Sequence, residues 1–336
     1  MPEYPSSAEI QTAREALKGM IRPTPCMEVR PGELTSDTAF SSTLIFKLEL
    51  FQITGTFKPR GALCVMLDMS EAQRTRGVTA VSAGNHAIAV AYAARVLETS
   101  AKIVMMKTAN PMRVQLVREY GAEIEFAPDG PSAFARVKDI ETLEGRTFVH
   151  PFEGPRTVLG TATLGAELYE QAEAMDAVVV AVGGGGLIAG VAAAIKQRSP
   201  RTRVYGVEPT GADSMSRSLA AGRPLSLPSV STIADSLAPP MATPYTFAVC
   251  REFVDRMTLI DDDSMRNAMG ILFRDMKICV EPAGAAALAA ALGPLRSELQ
   301  GGQRVGIVVC GSNIDLPTFH SQVGAAQADP PREFRS

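Results

Sequence analysis

A chain of 336 residues exceeds what one hydrophobic core usually serves, and its 46% apolar content is ample for two lobes. The formal charge of −3 and the absence of any dense run of Lys or Arg leave nucleic acid nothing to grip, and no apolar run reaches the ~20 residues that a membrane helix requires. Five cysteines without a C-x-x-C pair and three histidines without ligand spacing point away from a disulfide framework and from a zinc or histidine-rich metal centre.

The first residues, "MPEYPSSAEI", lack the basic and apolar regions of a secretory signal, so a cytoplasmic protein is expected. Next, "FQITGTFKPRGAL" at 51–63 plants Lys58 among turn formers and apolar neighbours, where an amine is costly to bury. It is either a solvated loop residue or a partly desolvated nucleophile.

"GVTAVSAGNHAIAVAYAARVL" (77–97) reads as a strand, a glycine-bearing turn and a helix, closed by the strand "AKIVMM" (101–106). The turn residues Ser82, Ala83, Gly84, Asn85 and His86 could present backbone N–H groups to a carboxylate, or Ser82 or Asn85 could simply cap the helix. "NPMRVQLVREYGAEIEFA" then sets Pro111 at a helix start and Gly121 at its end, before a short strand.

The same unit recurs in "MDAVVVAVGGGGLIAGVAAAIKQR" followed by "TRVYGVEP". Gly183, Gly184, Gly185 and Gly186 let the backbone turn its N–H groups inward ahead of a helix beginning near Leu187, which suits a phosphate. A dinucleotide loop with Glu208 as the ribose acid is the rival reading, although the spacing here is G-x-G-x-x-x-G. "RVGIVVCGSNIDL" adds a last buried strand and carries Cys310.

This succession predicts an α/β fold of two lobes, each with a mostly parallel sheet flanked by helices. Residues 1–50 and 150–322 are expected to form a large cofactor-binding domain and 51–149 a smaller one with the carboxylate loop. Residues 323–336 read as a flexible tail.

"TGTFKPRGA", "SAGNHA", "GGGGL", "VEPAGAAALAA" and "CGSNID" occur here in that order. In this the chain resembles the pyridoxal-phosphate enzymes of fold type II, the tryptophan-synthase-β type, and above all the serine/threonine dehydratases and serine racemase. The resemblance runs from Thr24 to Asp315.

It implies pyridoxal 5'-phosphate as cofactor, with Lys58 binding its aldehyde covalently and later moving the α-proton. Gly183 to Gly186 and the Leu187 N–H would hold the phosphate, Asn85 would donate to the 3-hydroxyl, Phe57 would cover one ring face, and Cys310 would meet the pyridine nitrogen. Ser82, Ala83, Gly84, Asn85 and His86 would close on the substrate carboxylate, and Phe152 would border the β-substituent. No metal is expected, because Ser214 stands where some relatives place an acid in a cation site that also uses the equivalent of Glu208.

The implied reaction is loss of water from a β-hydroxy-α-amino acid, whether threonine, serine or a bulkier analogue such as phenylserine, to give a 2-oxo acid and ammonia. A hydroxyectoine-pathway dehydratase or an amino-acid racemase could use the same scaffold. Ala83 stands where serine racemase carries a second serine, which favours elimination. Outside this class lie a nicotinamide-dependent dehydrogenase, which would not need Lys58, and a non-catalytic amino-acid sensor, which could dispense with it. A homodimer is the assembly that the resemblance implies.

Overall fold

Ten strands divide between two sheets in the computed structural model, which describes residues 4–172 and 174–328. They are β1 (Cys26–Val29), β2 (Thr43–Lys47), β3 (Val78–Val81), β4 (Ala101–Met106), β5 (Glu123–Ala127), β6 (Thr147–Phe148), β7 (Ala177–Ala181), β8 (Arg203–Pro209), β9 (Arg256–Ile260) and β10 (Arg304–Val308). The larger sheet has the order β1-β2-β10-β7-β8-β9 and the smaller β5-β4-β3-β6. Every pairing is parallel except β1 with β2.

The composition of the strands explains their places. β7, Ala-Val-Val-Val-Ala, is buried on both faces, so it suits the middle of a parallel sheet covered by helices on either side. Parallel strands end on a common edge. The chain therefore leaves β7 at Val182 for the glycine loop, leaves β10 for Cys310, and leaves β3 for Ser82, all on carboxyl edges of the sheets.

The first helix, Ser7–Ala16, starts with a capping box between Ser6 and Glu9. Its Ile10 and Ala13, with Leu17 beyond, share the core built on the smaller sheet, whereas β1 and β2 belong to the larger. Helix Pro155–Ala172 packs against both helix Lys58–Leu67 and helix Gly186–Arg198. A Cβ on Gly160 would lie 2.2 Å from the Arg60 carbonyl oxygen, so only glycine permits that approach.

A buried ionic network ties this junction together. Arg60 pairs with Glu49 at 2.5 Å and with Glu167 at 3.0 Å, Lys47 pairs with Glu167 at 2.5 Å, and the Thr24 hydroxyl donates to Glu49 at 2.6 Å. Two cations meet two anions, so no charge is left uncompensated.

The expected flexible tail begins too early. Helix Leu316–Ala328 runs past residue 323 because Phe319 is buried and Val323 packs against the larger core. The rest of that expectation, 329–336, lies outside the described residues.

Candidate active site

Four helices begin at one cavity of about 670 Å³: Lys58–Leu67, Asn85–Val96, Gly186–Arg198 and Pro282–Leu292. None receives a side-chain cap. Their first-turn N–H groups lack intrahelical acceptors, and each helix carries its partial positive charge at this end, so the cavity is built for anions. Phe57, Lys58, Ser82, Ala83, Gly84, Asn85, His86, Phe152, Gly183, Gly184, Gly185, Gly186, Leu187 and Cys310 all line it.

Lys58 stands at the start of its helix, where Phe57 N–H donates to the Cys310 carbonyl at 3.2 Å and fixes the approach. Its Nζ donates to the Pro151 carbonyl at 2.6 Å and lies 5.0 Å from the Phe57 ring centroid. Burial pushes its pKa down to about 8, against the smaller upward pull of Cys310 and Glu281. The Cys310 thiol is pushed up by burial and stays neutral, donating to the Ala283 carbonyl at 3.4 Å.

The turn after β3 does not cap its helix through a side chain. Gly84 occupies the cap position, the Ser82 hydroxyl accepts from Gly84 N–H at 3.0 Å, and the Asn85 amide is turned to the opposite lobe. There its nitrogen donates to Glu281 at 2.6 Å and its oxygen accepts from Asn313 at 2.7 Å. The first-turn N–H groups of that helix therefore have no side-chain cap.

Both histidines of the cavity are neutral. Burial pushes His86 down to about 3 and its Nε2 donates to the Val149 carbonyl at 2.7 Å. Burial likewise takes His150 to about 4, and its Nδ1 accepts from Glu153 N–H at 2.9 Å and Phe152 N–H at 3.3 Å.

In the glycine loop Gly185 has φ +87°, the left-handed region, and caps helix Gly186–Arg198. A Cβ on Gly184 would lie 2.2 Å from the Phe152 ring, and one on Gly186 would lie 2.6 Å from the Phe152 carbonyl oxygen. Phe152, 8% exposed, is therefore seated on the glycine loop.

Several lining residues went unnoticed in the sequence. Arg113, on helix Pro111–Glu119, donates to the Asn313 carbonyl at 3.0 Å, pairs with Glu281 at 3.3 Å and pairs with Asp235. Burial pushes Glu281 up to about 7 despite Arg113. The signal for Glu281 was present, since it opens the motif "VEPAGAAALAA" just ahead of a proline at a helix start. Arg113 gave none.

Glu208 has another task. It accepts from Met215 N–H and Ser216 N–H at 2.8 Å each and from the Ser216 hydroxyl at 2.6 Å, which caps helix Ser214–Ala221. Asp213 pairs with Arg217. Among the described residues no three His, Cys, Asp or Glu side chains gather as a metal site, and no helix is long and apolar enough to cross a membrane.

The family model for pyridoxal-phosphate dependent enzymes matches residues 17–311. The chain belongs to that family. It is 50% identical over 95% of its length to phenylserine dehydratase of Ralstonia pickettii, of which the match covers 97%. With serine racemase of Oryza sativa subsp. indica it shares 36% identity over 92% of each chain. The solved structure of maize serine racemase superposes with a TM-score of 0.88 at 34% identity, covering 97% of this chain and 99% of that one.

The fold is that of type II pyridoxal-phosphate enzymes, pyridoxal phosphate is the cofactor, and the activity is that of a dehydratase and ammonia-lyase. The residues present fit that group: an uncapped helix start behind glycines for a phosphate, an amine of lowered pKa for an aldehyde, and a neutral thiol for a ring nitrogen.

Proposed function

We propose that this chain removes water from a β-hydroxy-α-amino acid with a bulky apolar β-substituent, of the phenylserine kind, releasing a 2-oxo acid and ammonia. The observation that carries the reading is the position of the Lys58 amine, which opens into one cavity between the uncapped turn at Ser82–His86 and the uncapped glycine loop.

When bound, pyridoxal phosphate supplies an electron sink that makes the α-proton acidic. Lys58 would hold its aldehyde and, once released from it, take that proton, and its lowered pKa keeps part of the amine neutral near pH 7. Gly183, Gly184, Gly185, Gly186 and Leu187 would hold the phosphate through N–H groups. Asn85 would donate to the 3-hydroxyl through the second hydrogen of the nitrogen that already donates to Glu281, Phe57 would cover one ring face, and Cys310 would meet the ring nitrogen without a charge.

Ser82, Ala83, Gly84, Asn85 and His86 orient the substrate carboxylate, and Phe152 bounds the β-carbon from its seat on Gly184. Ala83 has no proton to give, and both cavity histidines are neutral. Loss of the β-hydroxyl after the α-proton leaves is favoured over return of a proton to the other face.

The test begins with the visible spectrum of the purified protein. A yellow band abolished by borohydride, with the reduced label on Lys58, is expected, and Lys58→Ala should stay folded without band or turnover. Incubation with phenylserine, threonine and serine should then yield ammonia and the matching 2-oxo acids. An alanine variant with near-normal elimination would overturn the reading.

We further propose that 51–149 forms a smaller domain beside 1–50 with 150–322, with helix Ser7–Ala16 of the N-terminal segment packed on the smaller domain's core, and that the protein is a cytoplasmic homodimer. The five free cysteines suit a reducing compartment, and exposed Phe51, Phe273 and Leu316 suit a covered surface. Light scattering reporting a monomer at micromolar concentration would refute the dimer.

A further inference from the structure

Phe152, whose ring rests on Gly184, is buried. Another aromatic side chain on the same cavity is exposed. Phe134, on helix Gly130–Glu144 beyond β5, is 43% exposed, and Met241, from the segment after the turn Asp235–Leu237, is 39% exposed. Both line the active cavity. Each has a proline beside it on the wall, Pro131 near Phe134 and Pro240 next to Met241, so the rim is apolar and stiff.

Large apolar side chains left in water at the mouth of a site have a meaning that a scattered surface leucine lacks. We propose that Phe134 and Met241 form the subsite for the substrate's β-substituent and set a preference for an aryl group over a methyl group. The proposal rests on the dehydratase reading and names its specificity residues.

The difference in exposure sets the direction. Asn85, His86 and Phe152 are buried, at 5%, 4% and 8% exposed, whereas Phe134 and Met241 on the same cavity are exposed. A substituent on the β-carbon then has the rim as its free direction. An aryl ring there would remove the exposed faces of Phe134 and Met241 from water and gain ring–ring and sulfur–ring contacts. A methyl group would cover little of either.

The test compares kcat/KM for phenylserine and threonine in wild type, Phe134→Ala and Met241→Ala, with the thermal melt of each. In each variant the phenylserine-to-threonine ratio is expected to fall about tenfold, the usual size of a lost apolar contact, mainly through the KM for phenylserine. Phe134→Leu should restore part of the ratio. If Phe134→Ala melts far below wild type, Met241→Ala alone carries the comparison. Wild-type turnover with a ratio unchanged in the folded variants overturns the subsite alone. Wild-type protein that turns over neither compound overturns the dehydratase reading beneath it.

Discussion

Lys58 and Pro151 are joined by a single hydrogen bond, from the amine to the backbone carbonyl at 2.6 Å. No carboxylate forms an ion pair with this amine among the described residues, although Glu281 acts on it through space. A carbonyl accepts from a charged or a neutral amine alike, so burial decides the proton. That makes Lys58 ready for an aldehyde at a pH where an ordinary lysine is not.

The uptake of pyridoxal phosphate by apo-protein should therefore rise with pH through about 8 and then level, because the neutral amine is the reacting form. Stopped-flow absorbance across a pH series measures it. A rate still climbing as pH approaches the ordinary lysine value of 10.5 would show a solvated amine. The shift has a stability sign as well: the unfolded chain binds this proton more readily, so the apo-fold loses stability as pH falls from 10.5 through 8.

Gly185→Ala should lower the melting temperature of apo- and holo-protein alike. Its φ of +87° disfavours any side chain, and a Cβ would lie 2.6 Å from the Met215 methyl. A cost of about 1–3 kcal/mol is expected before the cofactor is considered. An apo-protein that melts like wild type would show that the loop reaches this conformation only around its ligand.

Ala83→Ser should add racemisation that the unmodified enzyme lacks. Exchange of the α-epimers needs two acid/base groups on opposite faces, and the described histidines of the cavity are held neutral by burial. Chiral chromatography after incubation with L-serine or L-threonine reads the outcome. Rapid epimer formation by the wild type would reveal a second proton donor elsewhere.

Arg60→Met should destabilise the fold by about 3–5 kcal/mol, since it strands Glu49 and leaves Glu167 with Lys47 alone in a buried site. Adding Glu49→Gln should recover part of the loss. Urea unfolding of the two variants measures both terms, and equal stability of Arg60→Met and wild type would mean that the network contributes nothing.

The sequence was legible where one stretch of chain carries a whole feature. Val78–Val81, Asn85–Val96 and Ala101–Met106 could be read as strand, helix and strand because their apolar runs and glycine turn are contiguous. Lys58 and Gly183–Gly186 stood out for the same reason. Arg60, Glu49 and Glu167 did not, because each looks like a surface charge until chain folding brings it to a partner as many as 107 positions away, as between Arg60 and Glu167. Phe134 was hidden among the polar residues of its helix, and the seat of Phe152 on Gly184 depends on packing between segments that the sequence does not show.

The two sides of the lobe junction differ in how easily they can be unmade. On the cavity wall the buried Asn85, Asn313, Arg113 and Glu281 are joined, and only the pair of Arg113 with half-exposed Asp235 is open to replacement by water or a ligand. On the other side Arg60, Glu49, Lys47 and Glu167 lie out of reach of solvent, and parting them would strand charges. Lys58 is only two residues from Arg60, so the buried ionic network anchors the chain segment that carries the reactive amine.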